Sequence, residues 1–180
     1  MGKRTSYPRE PRDFYRTIDP RAVTPLLFHV KPGTRFVEPC AGAGDLVDQL
    51  VKAGMYCVMA SDIKPQARDI ACRDALKLTI SGDATECFIT NPMWRRDHLL
   101  ELIPHLIGQY PAWLLLDAGF AQTKTFRKVE KACTDIVAAG RLKWFPDDDP
   151  RQKGHDPMDD CAWYRFGLDR FGAIRFWPRR

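Results

Sequence analysis

One short segment of the sequence combines an acid with two glycines in a way that suits nucleotide chemistry. Glu38 ends an apolar run, and Gly42 and Gly44 follow it closely. Glycine has no Cβ, so the backbone of such a turn can approach a nucleotide closely, and an acid at the strand end suits a cationic ligand better than a phosphate. The pattern completes neither G-x-G-x-x-G nor a phosphate loop. It predicts a nucleoside-binding turn, with an ordinary strand-to-helix turn as the alternative.

A second acid stands at the end of the next apolar run. Asp62 follows residues 56–61 and lies close to the spacing at which a carboxylate beyond a glycine turn accepts both hydroxyls of a ribose. Considered alone, Asp62 is better explained as an acid that caps the turn before Pro65. Together with Glu38, it favours a site for a nucleoside that carries a positive charge.

The third segment is Asn91-Pro92-Met93-Trp94, directly after the apolar run 87–90. The exocyclic amine of adenine is a poor nucleophile because its lone pair is delocalised into the ring. Two acceptors must therefore hold its hydrogens while it becomes tetrahedral, and the Asn91 side-chain carbonyl and the Pro92 backbone carbonyl are such acceptors. Trp94 offers a flat face for the base. A plain turn is the alternative interpretation.

Together, the three segments resemble the class I S-adenosylmethionine-dependent methyltransferases, and within them the branch that methylates amines. That branch carries the tetrapeptide Asp/Asn/Ser-Pro-Pro-aromatic, and the Asn form is typical of adenine N6 methyltransferases. The motifs cover residues 14–94, whereas the rest of the chain fits by strand order only. Met93 replaces the second proline of the family. The turn is therefore less stiff, but the Asn91 and Pro92 carbonyls are both retained.

The resemblance also implies contacts to the cofactor S-adenosylmethionine. The stretch 14–17 resembles an N-terminal motif that touches the methionine part, although a lead-in to a helix is the alternative. Asp74 resembles the acid that accepts the amino hydrogen of the cofactor adenine, and Asp69 and Asp83 compete with it for this role. The cofactor-binding residues implied by the resemblance are Tyr15, Thr17, Glu38, Cys40, Gly42, Gly44, Asp62 and Asp74.

Four further residues are predicted to contact the substrate. Met93 lies within the catalytic turn, and Arg95 and Arg96 follow it, where they would meet phosphates beside a flipped base or form a solvated helix start. Trp163 lies on a late strand and lines the base pocket or packs in the core. His155 stands among several acids in a segment that we interpret as a soluble loop, so no metal site is predicted.

Apolar runs separated by glycine and proline predict one α/β domain with a Rossmann-like, mostly parallel sheet, helices on both faces and a C-terminal antiparallel hairpin. With 180 residues, the chain has room for a single core. We expect a basic flexible arm over 1–13, a methyltransferase domain over 14–180 and an exposed acidic loop over 146–160. The predicted strands are 34–38, 56–61, 87–90, 112–116 and the hairpin 141–145 with 161–166; the predicted helices are 14–30, 45–53, 99–107 and 125–138.

The charge is concentrated at the two ends of the chain. The net charge is +5, and residues 1–21 hold six Lys/Arg against three acids while residues 162–180 hold five Arg against one. If the ends fold side by side, they form a patch for a polyanion; solvated tails are the alternative. The expected partner is nucleic acid, DNA rather than RNA. No apolar stretch suits a membrane span, and six scattered cysteines fit free thiols in a cytoplasmic, bacterial or phage-encoded setting.

The sequence therefore predicts S-adenosylmethionine-dependent methylation of adenine N6 in DNA. RNA adenine and the amide of a protein glutamine are alternatives with the same chemistry, and cytosine N4 is disfavoured by the Asn at position 91. A different class is a non-catalytic S-adenosylmethionine-binding partner subunit, in which Met93 marks decay of the catalytic turn.

Overall fold

The computed structural model describes residues 15–82, 84–146, 148, 160–168 and 172–179. The predicted arm over 1–13 lies outside these residues, and so does most of the predicted loop over 146–160. Asp83 and His155, both weighed in the sequence analysis, lie outside them as well.

Proline determines how the N-terminal segment folds. Asp19 is extended because it precedes Pro20, and its carboxylate accepts a hydrogen bond of 3.0 Å from the backbone of Arg21, as predicted for a helix cap. A 3-10 turn over Pro20–Ala22 leads into α1, Val23–Leu26. The predicted helix over 14–30 is therefore much shorter in the structure, since residues 15–19 have no regular secondary structure and the chain turns before Pro32.

Eight strands form one mixed sheet. They are β1 (Arg35–Glu38), β2 (Tyr56–Asp62), β3 (Ala71–Cys72), β4 (Cys87–Thr90), β5 (Ala112–Asp117), β6 (Cys133–Arg141), β7 (Asp160–Phe166) and β8 (Arg175–Trp177). Their order is β3-β2-β1-β4-β5-β7-β6-β8. β1 to β5 pair in parallel, β7 runs antiparallel between β5 and β6, and β8 pairs in parallel with β6. This confirms the predicted α/β fold class with its antiparallel C-terminal part.

Two longer helices connect the parallel strands. α2, Asp45–Lys52, follows β1, and α3, Arg96–Ile107, follows β4. Leu46 and Leu50 of α2 are buried, so this helix packs its apolar stripe on the sheet. The connection from β2 to β3 contains no helix. Within the part of the chain that the structure describes, no helix is long and apolar enough to span a membrane.

The predicted helix over 125–138 is wrong. Two 3-10 turns, Phe126–Lys128 and Glu130–Ala132, are followed by β6. Thr134, Ile136 and Val137 are β-branched, and β6 pairs along its whole length with β7. Long-range pairing therefore overrides the local pattern. The predicted strand over 141–145 correspondingly lies too late, because β6 ends at Arg141.

Buried residues cover both faces of the sheet. One face packs Phe88, Leu114 and Tyr164 against α3, and the other packs Phe36, Leu115 and Trp163 against α1 and α2. All six of these side chains are fully buried. The core therefore fixes β1, β4 and β5 as the rigid centre of the molecule.

Candidate functional site

The candidate site lies where the strand order reverses between β1 and β4. In open α/β sheets, ligands bind outside the carboxyl ends of the strands at such a switch point. Glu38 ends β1, Asp62 ends β2 and Asn91 follows β4 directly, so the three residues singled out from the sequence meet at one edge.

The glycine turn after β1 is held by Asp62. The backbone N–H of Gly42 donates to Asp62 Oδ2 at 2.9 Å, and that of Lys64 donates to Oδ1 at 2.7 Å. Gly42 and Gly44 have φ of 56° and 89°, in the left-handed region that favours glycine. Asp62 thus orders the turn, and each of its oxygens retains a second lone pair for a ligand hydroxyl.

Glu38 is a buried acid with only part of its hydrogen-bonding capacity used. The side chain is 1% exposed, the backbone N–H of Asn91 donates to its carboxylate, and Oε2 has no partner among the residues that the structure describes. Burial raises the pKa of Glu38 well above its usual value, and the negative charges of Asp62 and Asp45 raise it further. A cation placed beside Oε2 would satisfy this group.

Cys40 and Asp74 lie on the same side of the site. Burial raises the pKa of the Cys40 thiol to about 12, so it stays neutral at ordinary pH. Asp74 Oδ1 accepts from the backbone of Leu76 at 3.0 Å, and Lys77 lies 3.7 Å from its other oxygen.

The turn after β4 is tied to the N-terminal segment. Asn91 Nδ2 donates to Thr17 Oγ1 at 3.1 Å, and Gln49 Nε2 of α2 donates to the Thr17 carbonyl at 2.5 Å. Thr17 is 6% exposed. The sequence predicted Thr17 as a cofactor contact, and the structure places its hydroxyl against the side chain of Asn91 in the turn 91–94. This leaves Asn91 Oδ1 and the Pro92 carbonyl as acceptors at the site.

Aromatic rings surround the same turn. Trp94 Nε1 donates to the Leu115 carbonyl at 2.9 Å, and its ring lies edge-on to Trp144 at 5.7 Å between centroids. Trp144 in turn lies 6.3 Å from the ring of Tyr15, which contacts Phe145 at 5.6 Å. We call Tyr15, Trp94, Trp144 and Phe145 the aromatic cluster. Trp144 and Phe145 were missed from the sequence because no local motif marks them.

The remaining predicted substrate residues lie at the rim. Met93 is 36% exposed. Arg95 is an exposed residue whose guanidinium pairs with Asp97 in the first turn of α3, and Arg96 is exposed at the start of that helix. All three side chains are therefore accessible from solvent next to the catalytic turn.

The structure corrects the prediction that Trp163 contacts the substrate. Its side chain is fully buried, and Nε1 donates to the Ala22 carbonyl at 2.7 Å. The pairing of β7 between β5 and β6 places this ring in the core. Core packing, the alternative interpretation, is therefore the correct one.

Parts of both ends of the chain contact the carboxyl end of β6. Asp19 Oδ2 accepts from the backbone of Lys143 at 3.0 Å, and Asp19 also holds Arg21. The guanidinium of Arg179 lies against Gly140, where a Cβ would be only 2.9 Å from Nη1. Arg21 therefore lies close to Lys143 through their shared partner Asp19, and Arg179 lies at Gly140 near the end of β6. No group of three metal-ligating side chains occurs among the described parts of the chain.

No protein-family model matches the sequence, and no curated protein matches it significantly. Several solved structures do match it in fold. A dimethyladenosine transferase from Plasmodium falciparum superposes with a TM-score of 0.55 at 14% identity, over 84% of this chain and 62% of that one. The chain has the class I methyltransferase fold.

Two further structures have the same architecture. The 23S rRNA methyltransferase ErmE aligns with a TM-score of 0.51 at 14% identity, over 88% of this chain and 71% of that one. A Listeria monocytogenes protein described as a class I S-adenosylmethionine-dependent methyltransferase aligns with a TM-score of 0.52 at 11% identity. That match covers 88% of this chain and 61% of the Listeria protein, so the chain spans under two thirds of the Plasmodium and Listeria structures.

Proposed function

We propose that this protein transfers a methyl group from S-adenosylmethionine to the N6 amine of adenine in nucleic acid, with DNA as the first substrate to test. The observation that carries the proposal is the turn Asn91 to Trp94. The Asn91 amide is held by Thr17 and the Trp94 ring is anchored on β5, both directly after β4 at the switch point of the sheet. This is the arrangement that an incoming aromatic amine requires.

The residues beside that turn fit the cofactor. S-adenosylmethionine carries an ammonium group, and Glu38 offers a buried carboxylate oxygen that has no partner among the described residues. Ribose hydroxyls suit the remaining lone pairs of Asp62, and the glycine turn lets backbone come close to the ligand. Cys40 and Asp74 complete the set of proposed cofactor contacts. When bound, the cofactor supplies an electrophilic methyl group on a positively charged sulfur.

The protein's task in the reaction is to hold the amine. Asn91 Oδ1 and the Pro92 carbonyl each accept one N6 hydrogen, which draws the lone pair out of conjugation with the ring. With S-adenosylmethionine held by Glu38, Asp62 and the glycine turn, the cofactor would supply its methyl group to the nitrogen, which becomes an ammonium, and the electron pair of the broken carbon–sulfur bond would stay on sulfur. The resulting ammonium then releases one proton to solvent. No side chain needs to remove a proton before attack.

The aromatic cluster supplies the surface for the base. Trp94 is fixed by its bond to the Leu115 carbonyl, and Trp144 stands across from it. Stacking on such rings is worth roughly 1–3 kcal/mol per base and does not depend strongly on sequence. Arg95 and Arg96 at the rim are proposed to meet phosphates beside the base. Trp144 takes the place that the sequence analysis gave to Trp163.

RNA is the competing polymer. The dimethyladenosine transferase and ErmE share this fold, and by their names both act on adenosine or RNA. The proposal of DNA comes from the sequence resemblance alone. A protein glutamine amide fits the same acceptors, yet the exposed residues Arg95 and Arg96 directly after the turn favour a polyanion.

The test is transfer of a labelled methyl group to DNA, RNA and protein in parallel, followed by nucleoside analysis. We expect N6-methyladenine from the wild-type protein and a loss of roughly 100- to 1,000-fold in Asn91→Ala, the scale seen when one transition-state hydrogen bond is removed. Cofactor affinity should stay unchanged in that variant. Transfer to none of the three, despite measurable cofactor binding, contradicts the proposal and favours a non-catalytic binding subunit.

A further inference from the structure

Two residues of α2, Asp45 and Gln49, hydrogen-bond the short segment Arg16-Thr17. Arg16 makes two hydrogen bonds to the carboxylate of Asp45, at 2.8 and 2.6 Å, and Gln49 Nε2 donates to the Thr17 carbonyl at 2.5 Å. A bidentate arginine–carboxylate pair adds geometric definition as well as attraction. The Thr17 side chain therefore projects from a backbone that is held on α2.

The Thr17 hydroxyl contacts only one end of the Asn91 side chain. It accepts from Nδ2 at 3.1 Å, across 74 positions of the chain. The backbone of Asn91 is held separately, because its N–H donates to Glu38. Thr17 therefore acts on the side chain of Asn91, including the orientation of its amide.

That orientation decides whether an amine can bind. The amide oxygen of asparagine accepts hydrogen bonds, whereas its NH₂ group only donates. An adenine N6 amine also presents hydrogens. If the Asn91 side-chain amide were rotated by 180°, its NH₂ group would face the NH₂ group of the amine, and no hydrogen bond could form. In the observed arrangement Nδ2 is bonded to Thr17, and Oδ1 is left available to the amine.

We infer that Thr17 is a positioning residue, which holds the Asn91 side chain so that Nδ2 is bonded to Thr17 and Oδ1 can accept from the substrate amine. The inference rests on the proposed methyl transfer and assigns Thr17 to the amine rather than to the methionine part of the cofactor. It makes the N-terminal segment a part of the catalytic turn, although the two are distant in sequence.

The first test is Thr17→Val, which keeps the shape of the side chain and removes the acceptor. We expect kcat to fall roughly 10- to 100-fold, the cost of leaving a buried donor without its partner. KM for the nucleic acid should change little, and the Kd for S-adenosylmethionine, measured by calorimetry, should stay within about twofold. Thr17→Ser retains the hydroxyl and should restore most of kcat.

Thr125→Val is the matched control. Thr125 is 4% exposed, and its hydroxyl has no partner within the described part of the chain. It lies neither in the turn 91–94 nor among the proposed cofactor contacts. It should leave kcat unchanged. A weaker Kd for S-adenosylmethionine in Thr17→Val with unaltered kcat would overturn the inference and return Thr17 to the cofactor.

A second measurement is independent of turnover. The side-chain ¹⁵N–¹H signals of Asn91, assigned by their loss in Asn91→Ala, should shift and exchange faster with solvent in Thr17→Val than in the wild type or in Thr17→Ser. Unchanged signals overturn the inference even if the enzyme is active. If the wild type transfers no methyl group to any polymer, the proposed function fails while these signals still decide the role of Thr17.

Discussion

The carboxyl edge of the sheet is divided into two halves of different chemistry. The half at β1, β2 and β3 carries Glu38, Asp62 and Asp74 with two glycines in left-handed conformation. The half at β4, β5 and β6 carries the aromatic cluster and exposed basic side chains. Acids attract a cationic nucleoside, while rings and bases suit a polynucleotide.

Asn91 joins the two halves. Its backbone donates to Glu38, and its side chain donates to Thr17 next to the aromatic cluster. We therefore expect mutations in the two halves to affect different affinities. Changes in the acidic half should alter cofactor affinity alone, and changes in the aromatic half should alter substrate affinity alone. Only residues at the junction should act on turnover.

The strongest test of this separation is Glu38→Gln. The substitution keeps the size of the side chain and removes the charge proposed to face the cofactor ammonium. We expect the Kd for S-adenosylmethionine to rise roughly 100-fold, as when one member of a buried ion pair is lost. Affinity for a DNA or RNA oligonucleotide, followed by fluorescence anisotropy, should be unchanged. Equal losses in both affinities would show that the halves are not separate.

The pH dependence of cofactor binding sharpens the same point. Burial and the charges of Asp62 and Asp45 raise the folded pKa of Glu38 above 4.5, so the acid keeps its proton to higher pH in the free protein. A cation favours the ionised form. Cofactor affinity should therefore increase with pH, by at most about tenfold per unit, from the ordinary glutamate range up to the raised pKa.

The free protein should show the opposite trend over that window. An unfolded Glu38 ionises more readily than the buried one, so the free energy of unfolding falls as pH rises from 4.5 towards the raised pKa. The difference between the wild type and Glu38→Gln isolates both contributions, because the shifted pKa values of His98, Asp19 and Asp135 affect the two proteins alike. Calorimetric titration and thermal melting across this range measure them, and a cofactor affinity independent of pH would contradict the assignment of Glu38.

The complementary variant in the aromatic half is Trp144→Ala. Loss of one stacking ring should weaken oligonucleotide binding roughly tenfold and leave the Kd for S-adenosylmethionine unaffected. Phe176→Ala is the control, because Phe176 is a 65% exposed aromatic residue on β8 outside the cluster. If both variants weaken binding equally, the effect comes from general aromatic exposure and not from the cluster.

The smallest effect is expected at position 93. Met93→Pro restores the second proline of the tetrapeptide and fixes φ there, which should raise kcat about two- to threefold by reducing the freedom of the turn. Met93→Leu, an apolar side chain without a ring, should resemble the wild type. A clear fall in kcat for the proline variant would show that this turn has a different backbone conformation from its family counterparts.

The acidic half of the edge was predictable from the sequence. Glu38, Asp62 and Asn91 each follow a short apolar run directly, and parallel strands bring their carboxyl ends to one edge whatever their spacing. Local order along the chain is therefore enough to place them. Asp19 was likewise predictable as a cap because the residue before Pro20 is extended.

The aromatic half was not predictable, since it depends on contacts between distant residues. Trp144 reaches Trp94 and Tyr15 only after β6 has paired with β7, and residues 133–138 form a strand because of that pairing and not because of their own pattern. Trp163 shows the converse. Its position on a late strand was correct, but the face on which its ring lies depends on the register between β7 and its neighbours.

The edge strand β8 has a consequence for how the protein is synthesised. Asp135 of β6 is 3% exposed, and its partners include Arg175 and Trp177, which donate to it at 3.0 Å. A ribosome makes β6 long before it makes β8, so during translation this carboxylate lacks those two donors. β6 can pair on its outer side only after the chain has emerged through Trp177, so the sheet is completed late in synthesis.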